Sequence, residues 1–437
     1  MSAIENFKLL MEKNHLGAKT GICSVCSAHP VVIEAAMDQA REDGSIVLIE
    51  STSNQVDQFG GYTGMKPGDF VAYVKGIAQG SGYPEEKILF GGDHLGPNAW
   101  QNLDAAKAME NSRALIAAYV KDGYQKIHLD TSMFCADDKG NRHEPLADDI
   151  VAARSAELCQ VAEETWKANF KGPSQLVYII GTEVPIPGGI QDPDEGVTPT
   201  SADDARTTID VTRAAFESRG LADAWKRVVG VVVQPGVEYG DDMIYPFNPK
   251  TAQDLRQVIT EYENIVFEAH STDYQSESAL TELVRGHFSI LKVGPWLTYA
   301  YREALFALES IEKELVEAGL SFQHSRLREV LETVMTENPG YWGKYYSGNS
   351  QDLRLKRKFS LSDRSRYYWP EERLQSAVSA LIKNLSTLKI PATLISQYLP
   401  VSFDAVLAGS LDASPQALLK HKIRNVLSKY SRACGFN

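Results

Sequence analysis

What most limits the folds open to this chain is one alternation repeated eight times between residues 20 and 295 of 437. Short runs rich in Val, Ile and Leu are each followed by an amphipathic stretch. The runs are 20–26, 45–50, 87–91, 126–130, 175–181, 227–233, 264–268 and 288–293. They are nearly all apolar, the pattern of strands covered on both faces in a parallel sheet. The intervening stretches read as helices over 31–41, 67–80, 102–122, 147–169, 201–219, 250–263 and 277–285. Eight such units make an α/β chain of the (β/α)8 TIM-barrel type. A doubly wound open sheet is the alternative. No G-x-G-x-x-G follows the first run, and Gly60-Gly61-Tyr62-Thr63-Gly64 lies too far into a loop to serve. The same absence argues against a nicotinamide cofactor.

From Tyr299 the pattern turns helical. The expected division is therefore a barrel over 1–298 and a helical C-terminal extension over 299–437. No repeat or low-complexity linker separates them, so the extension is expected to pack on the barrel. Aromatic and basic residues collect in 342–346 and 364–370, including Arg364 and Arg366. Burial of the barrel flank or a contact in a homo-oligomer is preferred for them over gripping substrate.

A net charge of −13 argues against nucleic acid or an anionic membrane as the main partner. It leaves room for an anionic small molecule in a locally basic pocket. No run approaches the roughly 18 apolar residues of a membrane span. The start of the chain lacks the basic-then-apolar secretory pattern, so a cytoplasmic location is expected. Five scattered cysteines fit a reducing compartment. Cys23 and Cys26 have redox or zinc spacing, but no second C-x-x-C accompanies them, and they are expected to be buried thiols.

Polar residues gather at the ends of the apolar runs: Glu50, Asp93, His94, His128, Asp130, Glu183, Gln234, Glu268, His270, Asp273 and Lys292. In a closed barrel those ends meet at one mouth, the usual place for an active site. Asp93-His94 follows Gly91-Gly92. A neutral imidazole suits a divalent ion, and the adjacent acid can move a proton. Alternation along a strand puts His128 and Asp130 on one face, so both look into the barrel or neither does. His29 is undecided between site and structure. His15, His143, His287, His324 and His421 lie away from strand ends and are expected to be structural.

The motifs at 21–30, 52–64, 91–98, 181–185, 232–238, 267–275, 292–295, 362–364 and 395–400 together resemble the GatZ/KbaZ family, essentially end to end. The resemblance implies a relative of class II sugar-phosphate aldolases. Some members are accessory subunits of tagatose-1,6-bisphosphate aldolase, assisting a separate catalytic chain. Others are metal-dependent 4-epimerases acting on tagatose 6-phosphate or related ketohexoses and ketouronates. A mouth lined with acids and imidazoles favours the enzyme over the supporting subunit.

Inverting C4 of a 2-ketose requires either oxidation at C4 or cleavage of C3–C4, because the C4 hydrogen is not alpha to the carbonyl. Without a nicotinamide, retro-aldol cleavage is preferred, with a divalent cation as Lewis acid. His94 and His270 are the expected ligands, completed by Glu183 or, second, Asp130. Zinc suits them and manganese is an alternative. Class II aldolases use three histidines, and His128 is weighed as a third ligand or a substrate contact. Asp93 is expected to be the acid/base, with Glu183 and Glu268 as further catalytic carboxylates. Gly294, Ser271, Lys292, Arg302 and Arg364 are candidates for a phosphate. Asn54, Gln55, Asn98 and Asp273 are candidates for the sugar.

Overall fold

A computed structural model describes residues 1–142, 144–181 and 197–436. Eight parallel strands close into a barrel: Ile22–Val25, Val47–Thr52, Ile88–Leu95, Lys126–Leu129, Val177–Ile180, Val228–Val233, Val266–Ala269 and Phe288–Val293. The first strand closes on the eighth, Ile22 lying opposite Ile290 and Ser24 opposite Lys292. The (β/α)8 reading holds, and the open sheet is excluded.

The third strand departs from the sequence expectation. Gly91-Gly92 does not end it. The strand runs on to Leu95, carrying Asp93 and His94 inside it. Both glycines are there for space. A Cβ on Gly91 would lie 2.7 Å from Glu50 Cγ, and one on Gly92 would lie 2.4 Å from Leu95 Cδ1. Pairing with the fourth strand slips between Gly92 and Leu95. A bulge of this kind re-aims side chains, and His94 takes a φ of 49° within it.

Helix Ala3–His15 closes the end of the barrel opposite the mouth. It starts from a reciprocal cap in which Ser2 and Glu5 satisfy each other's backbone N–H. Its apolar face, Ala3, Ile4, Phe7 and Met11, joins the barrel interior of Leu48, Leu89, Val266 and Ile290. The stretch expected as a helix over 250–263 is shorter, Gln253–Val258 followed by one 3-10 turn, Ile259–Glu261.

Helix Pro295–Glu317 follows the eighth strand and runs across the 298/299 division expected from sequence. Helix Pro415–Ala433 returns to the barrel and packs against helices Pro30–Glu42, Glu277–Arg285 and Pro295–Glu317. Between them, residues around 341–345 and 364–371 reach over the mouth. Among the described residues no helix is long and apolar enough to cross a membrane.

Candidate active site

Above the apolar interior the same strands turn to charge. Glu50, Lys126, Glu268 and Lys292 point inward and are almost wholly buried. Lys126 Nζ lies 2.6 Å from Glu50 Oε1 and 2.6 Å from Glu268 Oε2. Lys292 Nζ donates to Glu50 and Asp93 and sits 3.3 Å from Glu268 Oε1. Two ammonium groups thus serve three carboxylates. Buried charges need such partners, because leaving one unpaired costs several kcal/mol, about 3–5.

The pairing sets the ionisation. Burial by itself would raise Asp93, but His94, Lys292 and the bond from His128 outweigh it and hold the carboxyl well below the usual range. Burial works against Glu268 in the same way and is outweighed by Lys126, Lys292 and His270. Burial would lower Lys292, yet Asp93, Glu268 and Glu50 keep it well above a free lysine.

Over this layer three imidazoles form a triangle. The ring centres of His94, His128 and His270 are 5.2, 5.0 and 5.3 Å apart. His94 Nδ1 is 2.7 Å from Asp130 Oδ2, and Asp130 also accepts from Ser132 Oγ at 2.7 Å. A carboxylate holding the far nitrogen of a histidine fixes its tautomer and aim, the arrangement common behind metal ligands. His128 and Asp130 therefore both look inward. His270 Nε2 is 3.0 Å from Glu268 Oε1. Burial pulls His270 down to about 3, so its ring is neutral. His128 Nδ1 is 3.0 Å from Asp93 Oδ1, while His128 Nε2 is buried with no hydrogen-bond partner.

Ligand-type atoms of Asp93, His128, Glu268 and His270 all lie within 4.8 Å of one another. Borderline-soft nitrogen donors with carboxylate oxygens are a donor set for zinc or manganese. The orphaned Nε2 of His128 shows that these residues fit a cation. His128 belongs with the ligand candidates more than the sequence suggested, and Asp130 stands behind His94. Glu183 lies outside the described residues.

A cavity of about 740 Å³ opens above the imidazoles. Asp93, His94, His270 and Lys292 form its floor, and Asn54, Gln55, Ser271, Asp273 and Gly294 are on its wall. Several expected substrate contacts are already engaged. Gln55 Oε1 accepts from Thr52 N–H at 3.0 Å, and Ser271 bonds Glu238. The Gly294 N–H expected for phosphate donates instead to Asp273 Oδ1 at 3.1 Å, beside Trp296 N–H at 2.7 Å. Asp273 thus occupies the start of helix Pro295–Glu317. Burial lifts its carboxyl to about 6, against those backbone donors.

Lys292 is likewise engaged with carboxylates. Arg302 is off the cavity: it lies 4.2 Å over Tyr299 of its own helix, Pro295–Glu317, and ties that helix to Asp363 by a bond of 3.1 Å. Asn98 is buried in the turn Pro97–Trp100 and does not line the cavity. His29 does, its ring 4.1 Å from Tyr301 and its Nδ1 unpartnered. Cys26 lines it too, but burial pushes its thiol well up, which makes it a poor nucleophile.

The roof was not foreseen. Tyr341, Tyr345, Arg364, Arg366, Tyr367 and Trp369 all line the cavity, so parts of the aromatic and basic stretches reach over the mouth. Trp342, Tyr346 and Tyr368 of the same stretches are buried in the core, in line with the expected burial, and the cavity-lining residues go beyond that expectation. Tyr367 stacks on Tyr341 at 5.0 Å and meets Tyr62 edge-on at 4.9 Å. Lys126 was also missed. Its only signal was its place two residues before His128, on the same face.

Comparison with known proteins agrees with the sequence resemblance. A family model described as D-tagatose-1,6-bisphosphate aldolase subunit GatZ/KbaZ-like matches residues 7–435. The chain is similar to a crystal structure of a probable tagatose 6 phosphate kinase from Sinorhizobium meliloti 1021, at 46% identity and a TM-score of 0.86. That match covers 95% of this chain and 100% of the other. A fructose-bisphosphate aldolase from Campylobacter jejuni matches at 14% identity and a TM-score of 0.43, over 88% and 93% of the two chains. The YdjI aldolase from Escherichia coli K12 matches at 11% and 0.40, over 87% and 99%.

Proposed function

The chain belongs to the D-tagatose-1,6-bisphosphate aldolase subunit GatZ/KbaZ-like family, and on that premise we propose that it is a metal-dependent 4-epimerase interconverting tagatose 6-phosphate and fructose 6-phosphate. The observation that carries this reading is the triangle of His94, His128 and His270 over the ionised Asp93. His128 and His270, with Glu268 and with His94 beside them, would hold the cation. When bound, it supplies Lewis-acid stabilisation of the negative charge that develops on the carbonyl side of the substrate.

The chain's own groups do the rest. Asp93 accepts the C4 hydroxyl proton as the C3–C4 bond breaks, and the bonding pair stays on the three-carbon fragment as an enediolate. The aldehyde fragment turns to present its other face, the enediolate carbon re-adds, and Asp93 returns the proton. Lys292 keeps Asp93 charged between turnovers. The tyrosine roof keeps both fragments in the cavity, which separates epimerisation from release of trioses.

The test is incubation of the isolated chain with tagatose 6-phosphate and zinc or manganese. Fructose 6-phosphate should appear, and a chelator should stop it. The word subunit in the family description supports a second reading, a chain that assists a separate class II aldolase. It predicts no turnover alone and co-purification with that aldolase. Triose phosphates released into solution would mean an autonomous aldolase. ATP consumption would favour the phosphoryl transfer in the name of the Sinorhizobium protein.

A further inference from the structure

Among the described residues three arginines are buried, and two of them have a carboxylate partner. Arg302 pairs with Asp363 at 3.1 Å, and Arg357 has Glu332 as its partner at 2.5 Å. Arg366 donates to the Asp363 carbonyl at 3.0 Å and to the Tyr367 hydroxyl at 2.7 Å. Arg364 is only 5% exposed and lines the cavity. Its side chain has no carboxylate partner among the described residues, and its Nε is buried without a hydrogen bond. Its guanidinium lies 3.4 Å over the Tyr345 ring and 5.9 Å from that of Tyr367.

Stacking on a ring face engages the π surface of a guanidinium and leaves its in-plane N–H groups free. A buried cation with free donors is costly unless an anion completes it. We propose that Arg364 binds the anionic end of the sugar, a phosphate monoester or a carboxylate, at the roof of the cavity and away from the imidazole floor. The inference rests on reading the mouth as a sugar site.

Charge across the cavity favours this orientation. The floor carries three carboxylates against two ammonium groups, which would repel an anion unless a cation stood there. The roof carries Arg364 and Arg366. The expected phosphate donors near the eighth strand are spent on Asp273 and on the carboxylates around Lys292. An anionic sugar would therefore enter with its keto end down and its charged end up. A planar fork suits both phosphate and carboxylate, because it offers two parallel donors.

Titration calorimetry of the full chain in chelator, with fructose 6-phosphate, fructuronate and fructose, tests this without turnover. The wild type should bind at least one anionic sugar about 10- to 100-fold more tightly than fructose, the range for hydrogen bonds to a charged group. Preference for fructose 6-phosphate identifies phosphate, and preference for fructuronate identifies carboxylate. Arg364→Gln should abolish the advantage and leave fructose binding unchanged. Arg364→Lys, which keeps charge and stem but not the fork, is the second variant if the first does not fold, and it should recover only part. Equal binding of all three sugars by the wild type, or full preference in either variant, would overturn the assignment. Epimerisation without anion preference would reject this site and spare the enzyme. Anion preference with no turnover under any metal would do the reverse.

Discussion

The two ends of the barrel are made from the same eight strands and are opposites in chemistry. At one end Leu48, Leu89, Val266 and Ile290 meet Phe7 and Met11 of the N-terminal helix in one apolar cluster. Two residues further along the same strands stand Glu50, Glu268 and Lys292, with Lys126 beside them. An apolar layer contributes stability by leaving water, about 25 cal/mol for each Å². A buried ion-pair layer contributes little or nothing net, because desolvation offsets the attraction. The molecule thus concentrates stability at the plugged end and holds ionised groups in place at the other.

The largest effect that could break this contrast is at Asp93. Asp93→Asn removes the proton acceptor and keeps the shape, and turnover should fall about 10³-fold, within the range for a positioned general base. Melting temperature should change little, since Lys292 keeps Glu50 and Glu268. Steady-state assays with calorimetry would decide. A variant that epimerises normally removes Asp93 from the chemistry.

Next in size is the plugged end. Phe7 is fully buried there, and Phe7→Ala should cost about 3–5 kcal/mol of stability through lost burial and a cavity. The kcat of the folded fraction should stay unchanged. Urea unfolding and an active-site-normalised assay check both halves, and loss of kcat in a folded variant would show that the two ends are coupled.

How much of this could be read in advance follows the same division. The barrel was legible because nearly all-apolar strands with helical spacers have few other solutions. Asp93, His94, Glu268 and His270 were legible because they stand at or just past the ends of apolar runs in the sequence. The bulge was not, since only the space demanded by Glu50 and Tyr119 explains why Gly91 and Gly92 continue the strand. Lys126 opens a strand, where a lysine usually meets solvent, and only ring closure turns it onto Glu50 and Glu268. The roof was hidden for another reason. Tyr345, Arg364 and Tyr367 lie in the extension far from the barrel strands in sequence, and nothing local says that their segment crosses the mouth. Asp273 and Arg302 were expected to meet ligand, and each has a protein partner that no local pattern announces, with Asp273 still on the cavity wall and Arg302 off it.

Asp273 gives the smallest and most discriminating test of the contrast, because it places a cost at the mouth. Burial lifts its carboxyl to about 6 in the folded chain, above the ordinary aspartate value of about 3.9. Between these values the folded form keeps a proton that the unfolded form has lost, so stability falls as pH rises through the window and the penalty is complete above about 6. Two units correspond to roughly 3 kcal/mol as an upper figure. Asp273→Asn is neutral at every pH and can still accept a backbone N–H of the helix. Relative to wild type it should therefore gain stability, by roughly 1–3 kcal/mol, on going from pH 4 to pH 7. Urea midpoints at the two pH values measure the difference, and the ionised groups that favour the fold cancel in the subtraction. Parallel behaviour of the two proteins would mean that the helix N–H groups stabilise the Asp273 carboxylate fully, and the mouth would then carry no such cost.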